Sequence, residues 1–173
     1  MEILADILRP KNLDEIIGQQ HLVGPNKIIR NLVNNEHLVS MILYGKPGIG
    51  KTSIAIAIAN TLNKPFRLLN ATINNKQDFD IVIEEAKMEG EMIVIMDEIH
   101  RLNKDKQDLL LPYIEHGLII LIGMTTSNPY HKINPAIRSR CQIFELKELT
   151  IDEIKEGINR AIPHLKRINV DEE

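Results

Sequence analysis

At 173 residues and a net charge of -3, the chain fits one ordinary domain able to bury a real core, and it lacks the global basic field that would argue for nucleic acid. Its single cysteine, Cys141, excludes an internal disulfide and a multi-cysteine zinc site, as suits a reducing cytosol. With no signal-like start, no apolar run of about twenty residues and only 3% aromatics, the sequence predicts a cytoplasmic protein with an aliphatic core and no membrane span.

Residues 25–36 place Ile28, Ile29, Leu32 and Val33 on one helical face. An apolar run at 41–44 leads into the loop 45–53, GKPGIGKTS, and residues 51–62 repeat the helical pattern with Ile54, Ile58 and Leu62. A second run at 66–69 precedes an amphipathic helix at 79–88, and a third at 92–96 ends in Asp97-Glu98. A fourth spans 118–122, and a shorter, mixed fifth spans 142–146. Runs of this length are what strands covered on both faces of a parallel sheet require. Their alternation with helices predicts an α/β layered sheet with right-handed crossovers. The last segment differs: Thr150 and Glu153 form a capping box, and Ile151, Ile154, Ile158, Ile162 and Leu165 stripe a helix with nothing C-terminal to pack against. The expected division is a nucleotide-binding α/β domain over residues 1–148 and the first helix of a truncated helical lid over 149–173, in a fragment of a longer protein.

Gly45-Lys46-Pro47-Gly48-Ile49-Gly50-Lys51-Thr52 fits G-x-x-x-x-G-K-[ST] in full, with Ser53 following. Glycines let backbone N–H groups wrap phosphate oxygens, and the positive end of the next helix faces the same charge. Lys51 would then reach the β- and γ-phosphates of ATP, and the Thr52 hydroxyl would ligate Mg²⁺. A glycine-rich turn, the plain alternative, needs no such set of residues. The run 92–96 delivers Asp97 to a strand end, where it can hold Mg²⁺ through a coordinated water. Glu98, one residue on, is the natural base for the attacking water. The strand at 66–69, between the two motifs, separates this layout from kinase-like phosphate-loop folds and favours hydrolysis over transfer to a small acceptor.

Residues 97–103, DEIHRLN, resemble the Walker B block of AAA+ ATPases of the clamp-loader and branch-migration kind. LRPKNLDEIIGQQHLVGP (residues 8–25) resembles the adenine-binding segment of that clade, GLIILIGMTTSNP (117–129) its sensor 1 strand, and NPAIRSRCQIFEL (134–146) its Ser-Arg-Cys arginine-finger motif. In this order the blocks, spanning roughly residues 4–160, resemble most the replication-associated recombination protein A family. The resemblance implies the strand order 5-1-4-3-2. It implies that Arg9, Pro10, Ile17 and Gly18 hold adenine and ribose, and that Thr126, or else Thr125, is sensor 1. Arg140, with Arg138 as the other candidate, is the implied arginine finger, presented to the ATP of a neighbouring subunit. Asn70 matches a polar position that restrains the catalytic glutamate. The implied protein is a cytoplasmic, nucleoid-associated, DNA-dependent ATPase of replication-fork maintenance, recombination and repair. It would form homo-oligomers at full length and meet replication or single-strand-binding proteins, whereas the fragment is expected to be monomeric and weakly active.

Plain roles compete for several of these residues. Arg138 and Arg140 could be surface charges at a helix end, and Thr125 and Thr126 ordinary strand-end hydroxyls. His100 is expected to cap or pack, since no second ligand lies at metal spacing. Cys141 is expected to be a small buried residue. Ser127 stands where the family has Glu. Three other functions compete. A branch-migration motor of Holliday junctions would carry a β-hairpin between the two nucleotide motifs, for which residues 53–91 leave no room. A clamp-loader subunit would carry an asparagine at Thr126. A nucleotide-gated scaffold recruiting replication proteins would not need Glu98.

Overall fold

The computed structural model describes residues 8–170, with side-chain surroundings up to residue 165. Residues 1–7 and 171–173 of the expected domains, and residues 4–7 of the family resemblance, lie outside the described residues. Among the described residues, five parallel strands form one sheet: β1 (Met41–Tyr44), β2 (Phe66–Asn70), β3 (Met92–Asp97), β4 (Ile119–Thr125) and β5 (Gln142–Glu145). Their order is β2-β3-β4-β1-β5, which is the expected order read from the other edge.

Successive side chains of a strand point to opposite faces, so a sheet covered on both sides needs apolar residues at every position. Met41 and Leu43 of β1, Ile93 and Ile95 of β3, and Ile120 and Ile122 of β4 enter one core. Ile42, Met92, Val94, Met96, Ile119 and Leu121 enter the other. The first core is closed by a 3-10 turn (Leu13–Glu15), α1 (Gln20–Val23), α2 (Ile28–Asn34) and α3 (Lys51–Thr61). The second is closed by α4 (Lys76–Glu89), a 3-10 turn (Ile99–Arg101), α5 (Lys104–Glu115), α6 (Pro129–Lys132) and α7 (Pro135–Arg138).

Helix α3 is buried through residues 54–59 without a break. It lies between the sheet beneath, where it meets β3 and β4, and the Leu13–Glu15 turn above. A helix sandwiched in this way has no polar face to offer. Helix α4 is amphipathic: Phe79, Val82, Ile83 and Ala86 turn inward, Asn75 and Asp78 form a reciprocal cap, and Gly90 ends it at φ 87°. Met88 falls off that face and is 81% exposed, and Ile28, at the first residue of α2, also faces solvent. The expectation that every strand is covered on both faces fails at β2. It is an edge strand whose Arg67 and Leu68 are exposed, with Arg67 reaching Glu85 of α4 at 2.6 Å. Residues 62–65 and 71–75 are the only connections among α3, β2 and α4, and no β-hairpin lies between the nucleotide motifs.

Helices α6 and α7 both start at an Asn-Pro pair. The Asn128 and Asn134 side chains accept N–H bonds from Tyr130 and Ala136, and each proline occupies the first turn, where its missing N–H costs nothing. The last helix, α8 (Ile151–Val170), begins at a capping box: Thr150 N–H donates to Glu153 Oε1 at 3.0 Å, and Glu153 N–H to Thr150 Oγ1 at 3.2 Å. Ile151, Ile154, Ile158, Ile162 and Leu165 are all exposed. The other side of α8 leans on the N-terminal segment, where Arg160 donates to the Glu15 carbonyl at 2.7 Å.

Candidate nucleotide-binding and hydrolysis site

The loop between β1 and α3 sits at the C-terminal ends of the strands, where open α/β sheets bind their ligands. Gly45 N–H donates to the Thr125 carbonyl at 3.2 Å, anchoring the loop to the end of β4. Gly48 and Gly50 have φ of 76° and 103°, and a Cβ at either would meet nothing within 4 Å. The backbone there is bent as only glycine readily allows, and it faces open space. Gly50 gives the first turn of α3 no side-chain cap, leaving its N–H groups for an outside acceptor.

Lys51 Nζ folds back over the loop, donating to the carbonyls of Gly45 at 2.7 Å and Lys46 at 2.8 Å. Burial pushes the ammonium below its ordinary pKa, while the fields of Asp97 and Glu98 push it back up. A polyphosphate would supply the missing compensation. Lys46 pairs with Glu148, just ahead of α8, and this ammonium holds the Glu148 carboxyl below its usual range.

Two clefts meet over the loop. One, of about 400 Å³, has Pro47, Gly48 and residues 50–53 on one wall and Asp97, Glu98 and Thr126 on the other. Its neighbour, of about 610 Å³, is bounded by Arg9, Pro10 and Ile17 on one side and by Gly157, Arg160 and His164 of α8 on the other, with Ile49 in its floor. Gly48, Gly50 and Ser53 line both. The shared floor makes the two clefts continuous, a bed that could take a phosphate tail at one end and a base with its sugar at the other. Gly18 lies beside this bed: a Cβ there would come within 2.3 Å of Glu153 Oε2 and 2.6 Å of Leu149 Cδ2. It seats the start of α8 on the N-terminal segment and does not line the cleft. Gly45 likewise serves through its backbone.

Asp97 ends β3, and its Oδ1 accepts the Glu98 N–H at 2.8 Å. Glu98 is left-handed at φ 54°, which starts the Ile99–Arg101 turn, and its Oε2 lies 3.3 Å from His100 Nε2. The Thr52 hydroxyl lies 3.7 Å from Met124 Sδ. Thr52 and Asp97 are hard oxygen donors facing one cleft, a set that fits Mg²⁺, which keeps several waters and needs few protein ligands. Among the described residues no cluster of three His, Cys, Asp or Glu is placed to hold a metal by itself.

The two candidate sensor residues separate. Thr126 is exposed in the cleft, whereas Thr125 is buried, its Oγ1 2.8 Å from His100 Nδ1 and accepting the Ser127 N–H at 3.0 Å. Asn70 has its side-chain oxygen turned to its own loop. Its Oδ1 caps the turn after β2, accepting from Thr72 N–H at 2.8 Å and Ile73 N–H at 3.2 Å, and the side chain beside the Glu98 carboxylate is His100. Arg140 lies away from both clefts and pairs with Glu115 at 2.8 Å on the exposed surface. Arg138 donates to the Tyr130 carbonyl at 2.8 Å and so ties α7 to α6. Sequence reading missed Arg160 and His164, whose place on the cleft needs α8 folded back, and it missed the buried Gln19, which no motif marks.

A family model described as the Holliday junction DNA helicase RuvB P-loop domain matches residues 8–137. Replication-associated recombination protein A of Bacillus subtilis is 62% identical over 162 residues, covering 94% of this chain and 38% of that protein. ATPase WRNIP1 of Dictyostelium discoideum is 40% identical over 163 residues, covering 92% of this chain and 19% of that protein. The solved Holliday junction branch migration motor RuvB of Thermotoga maritima superposes with a TM-score of 0.74 at 32% identity, over 92% of this chain and 55% of that one. The chain thus spans well under half the length of the curated relatives it matches. It belongs to the RuvB-type P-loop family of AAA+ ATPase domains, on the branch of the replication-associated recombination protein A relatives.

Proposed function

We propose that this domain binds ATP with Mg²⁺ across the two joined clefts and hydrolyses it at a subunit interface, driving remodelling of DNA or of DNA-bound replication proteins by a longer, homo-oligomeric protein. The observation that carries the reading is the shared floor of Gly48, Gly50 and Ser53 between a cleft of about 610 Å³ beside Arg9, Pro10 and Ile17 and one facing Asp97, Glu98 and Thr126. Lys51 and the amides of the loop hold the phosphates, and Thr52 and Asp97 hold the metal. Held by Thr52 and Asp97, Mg²⁺ would supply neutralisation of the phosphate charge. Glu98 takes the proton of the attacking water, and Thr126 orients that water or touches the γ-phosphate. Arg9, Pro10 and Ile17 take the adenosine end.

Arg140 lies off its own clefts and serves as a finger toward a neighbour's ATP. Cations placed so can contribute ~10³ to 10⁵ in rate. The isolated chain therefore binds nucleotide but turns it over slowly, and the assembled protein is faster. The relatives' names support a role in replication-associated recombination, and a place in the cytoplasm beside the nucleoid is part of the same proposal. Single-strand-binding proteins fit as partners of such a role. Glu98→Gln keeps the shape and removes the base, so ATP binding should persist while hydrolysis is lost. Unchanged ATP consumption in that variant would leave Glu98 without its role and favour a different base or a nucleotide-gated scaffold.

A further inference from the structure

His100 lies between two side chains that meet nowhere else. Its Nε2 is 3.3 Å from Glu98 Oε2 and its Nδ1 is 2.8 Å from Thr125 Oγ1. The imidazole is 13% exposed, the Glu98 side chain 35%, and Thr125 1%. The proton positions follow from counting donors and acceptors. An ionised carboxylate only accepts, so this ion-pair-distance approach favours hydrogen on Nε2. In the neutral ring Nδ1 is then bare and takes the Thr125 O–H. The Thr125 oxygen keeps a lone pair for the Ser127 N–H, which lies 3.0 Å away. For the neutral ring one arrangement satisfies the set: Ser127 N–H to Thr125 oxygen, Thr125 O–H to Nδ1, Nε2–H toward Glu98.

We propose that His100 is the positioning residue of the hydrolytic base, holding one oxygen of Glu98 and leaving the other for the attacking water, with Thr125 fixing the tautomer that lets it do so. The inference rests on Glu98 as the base. A carboxylate on a freely rotating side chain spends little time aimed at a water, and fixing its aim removes that cost from the barrier. The turn that carries the imidazole is itself pinned. Ile99 Cδ1 occupies the place of the missing side chain of Gly123, where a Cβ would lie 2.4 Å from it. The strand that bears Thr125 thereby also sets the height of His100. Of the two neighbouring threonines, Thr126 faces the ligand cleft and Thr125 works behind it through the histidine.

The test has two arms on the 173-residue chain. Ring ¹⁵N NMR of histidine-labelled protein, with the His100 signals assigned by their loss in His100→Gln, should show hydrogen on Nε2 and a bare, hydrogen-bonded Nδ1. Thr125→Val should remove the hydrogen-bond signature at Nδ1. A bare Nε2 with the hydrogen on Nδ1 in the parent chain overturns the proposal. In single-turnover hydrolysis of radiolabelled Mg-ATP, His100→Leu should lower the rate roughly 10- to 100-fold with ATP affinity unchanged. His100→Gln, whose amide can still donate to Glu98, should recover much of the loss. A His100→Leu rate equal to the parent's, where Glu98→Gln abolishes hydrolysis, overturns the positioning role alone. Undiminished hydrolysis by Glu98→Gln removes the base assignment instead.

Discussion

Gln19 and Lys147 are joined by two hydrogen bonds running in opposite directions: Gln19 Nε2 donates to the Lys147 carbonyl at 2.7 Å, and Lys147 N–H donates to Gln19 Oε1 at 2.9 Å. The same Nε2 reaches the Ile49 carbonyl at 3.3 Å. One buried amide therefore ties the N-terminal segment, the phosphate loop and the link from β5 to α8. Gln19→Ala leaves these three backbone groups without a side-chain partner, at a cost of about 2 to 3 kcal/mol. It should also weaken ATP binding, because two walls of the adenosine cleft lose their common tie. Urea unfolding with and without nucleotide measures both effects, and a stability loss below ~0.5 kcal/mol, the range of an ordinary surface change, would contradict this role.

The two candidate fingers part on stability. Arg140 makes one exposed ion pair with Glu115, so Arg140→Ala should change the stability of the chain by no more than about 0.5 kcal/mol. Arg138 donates to the Tyr130 carbonyl and joins α7 to α6, so Arg138→Ala should cost about 1 kcal/mol. In ATPase assays of the assembled longer protein the order reverses. Arg140→Ala should lose ~10³ in turnover with ATP affinity kept, and Arg138→Ala should lose far less. Equal turnover losses would mean that Arg140 has no special place at the interface.

Cys141 packs among partly buried side chains of the second core, and burial pushes its thiol up to about 12 from 9.0. Two results follow. At pH 8 the native chain should react slowly with a disulfide reagent, and denaturant should release fast labelling, because the thiolate is the nucleophile. Between pH 9.0 and about 12 the unfolded chain gives up the thiol proton that the folded chain keeps, so stability should fall as pH rises through that window. Cys141→Ala should flatten that slope. Fast labelling of the native chain, or an unchanged alkaline slope in the variant, would show the thiol to be less shielded than its packing implies.

Much of the fold could be read from local pattern, since a two-sided parallel sheet demands unbroken apolar strands and few other structures do. The reading failed where chemistry and pattern diverge. The apolar run of the fourth strand ends at residue 122, where Gly123 breaks it, and only the family resemblance carries the strand on to the threonines. The strand continues to Thr125, and the glycine is there to admit Ile99. Helix α6 went unforeseen, and α7 was foreseen only as a helix end near Arg138: each is one turn long, too short for periodicity, and is announced only by its Asn-Pro start. Asn70 matched a family position, yet its side chain answers the needs of its own turn. That the glycine loop and Asp97-Glu98 follow strands and face one cleft was legible because each is a run of adjacent residues at a strand end. His100 with Thr125, 25 residues apart, and Gln19 with Lys147, 128 apart, were not, because their partners are chosen by the fold and leave no local mark.

The central claim is that the loop of residues 45–52 and its lysine grip a triphosphate. Lys51 donates two hydrogen bonds to the loop carbonyls, donors that the proposed complex would turn to phosphate oxygens. Isothermal titration of the chain with ATP and Mg²⁺, run beside Lys51→Ala, tests this most directly. The expected result is saturable heat in the parent chain and an affinity about 10- to 150-fold lower in the variant, the worth of hydrogen bonds from a charged donor. No heat at millimolar ATP, or equal affinity in the two proteins, would contradict it.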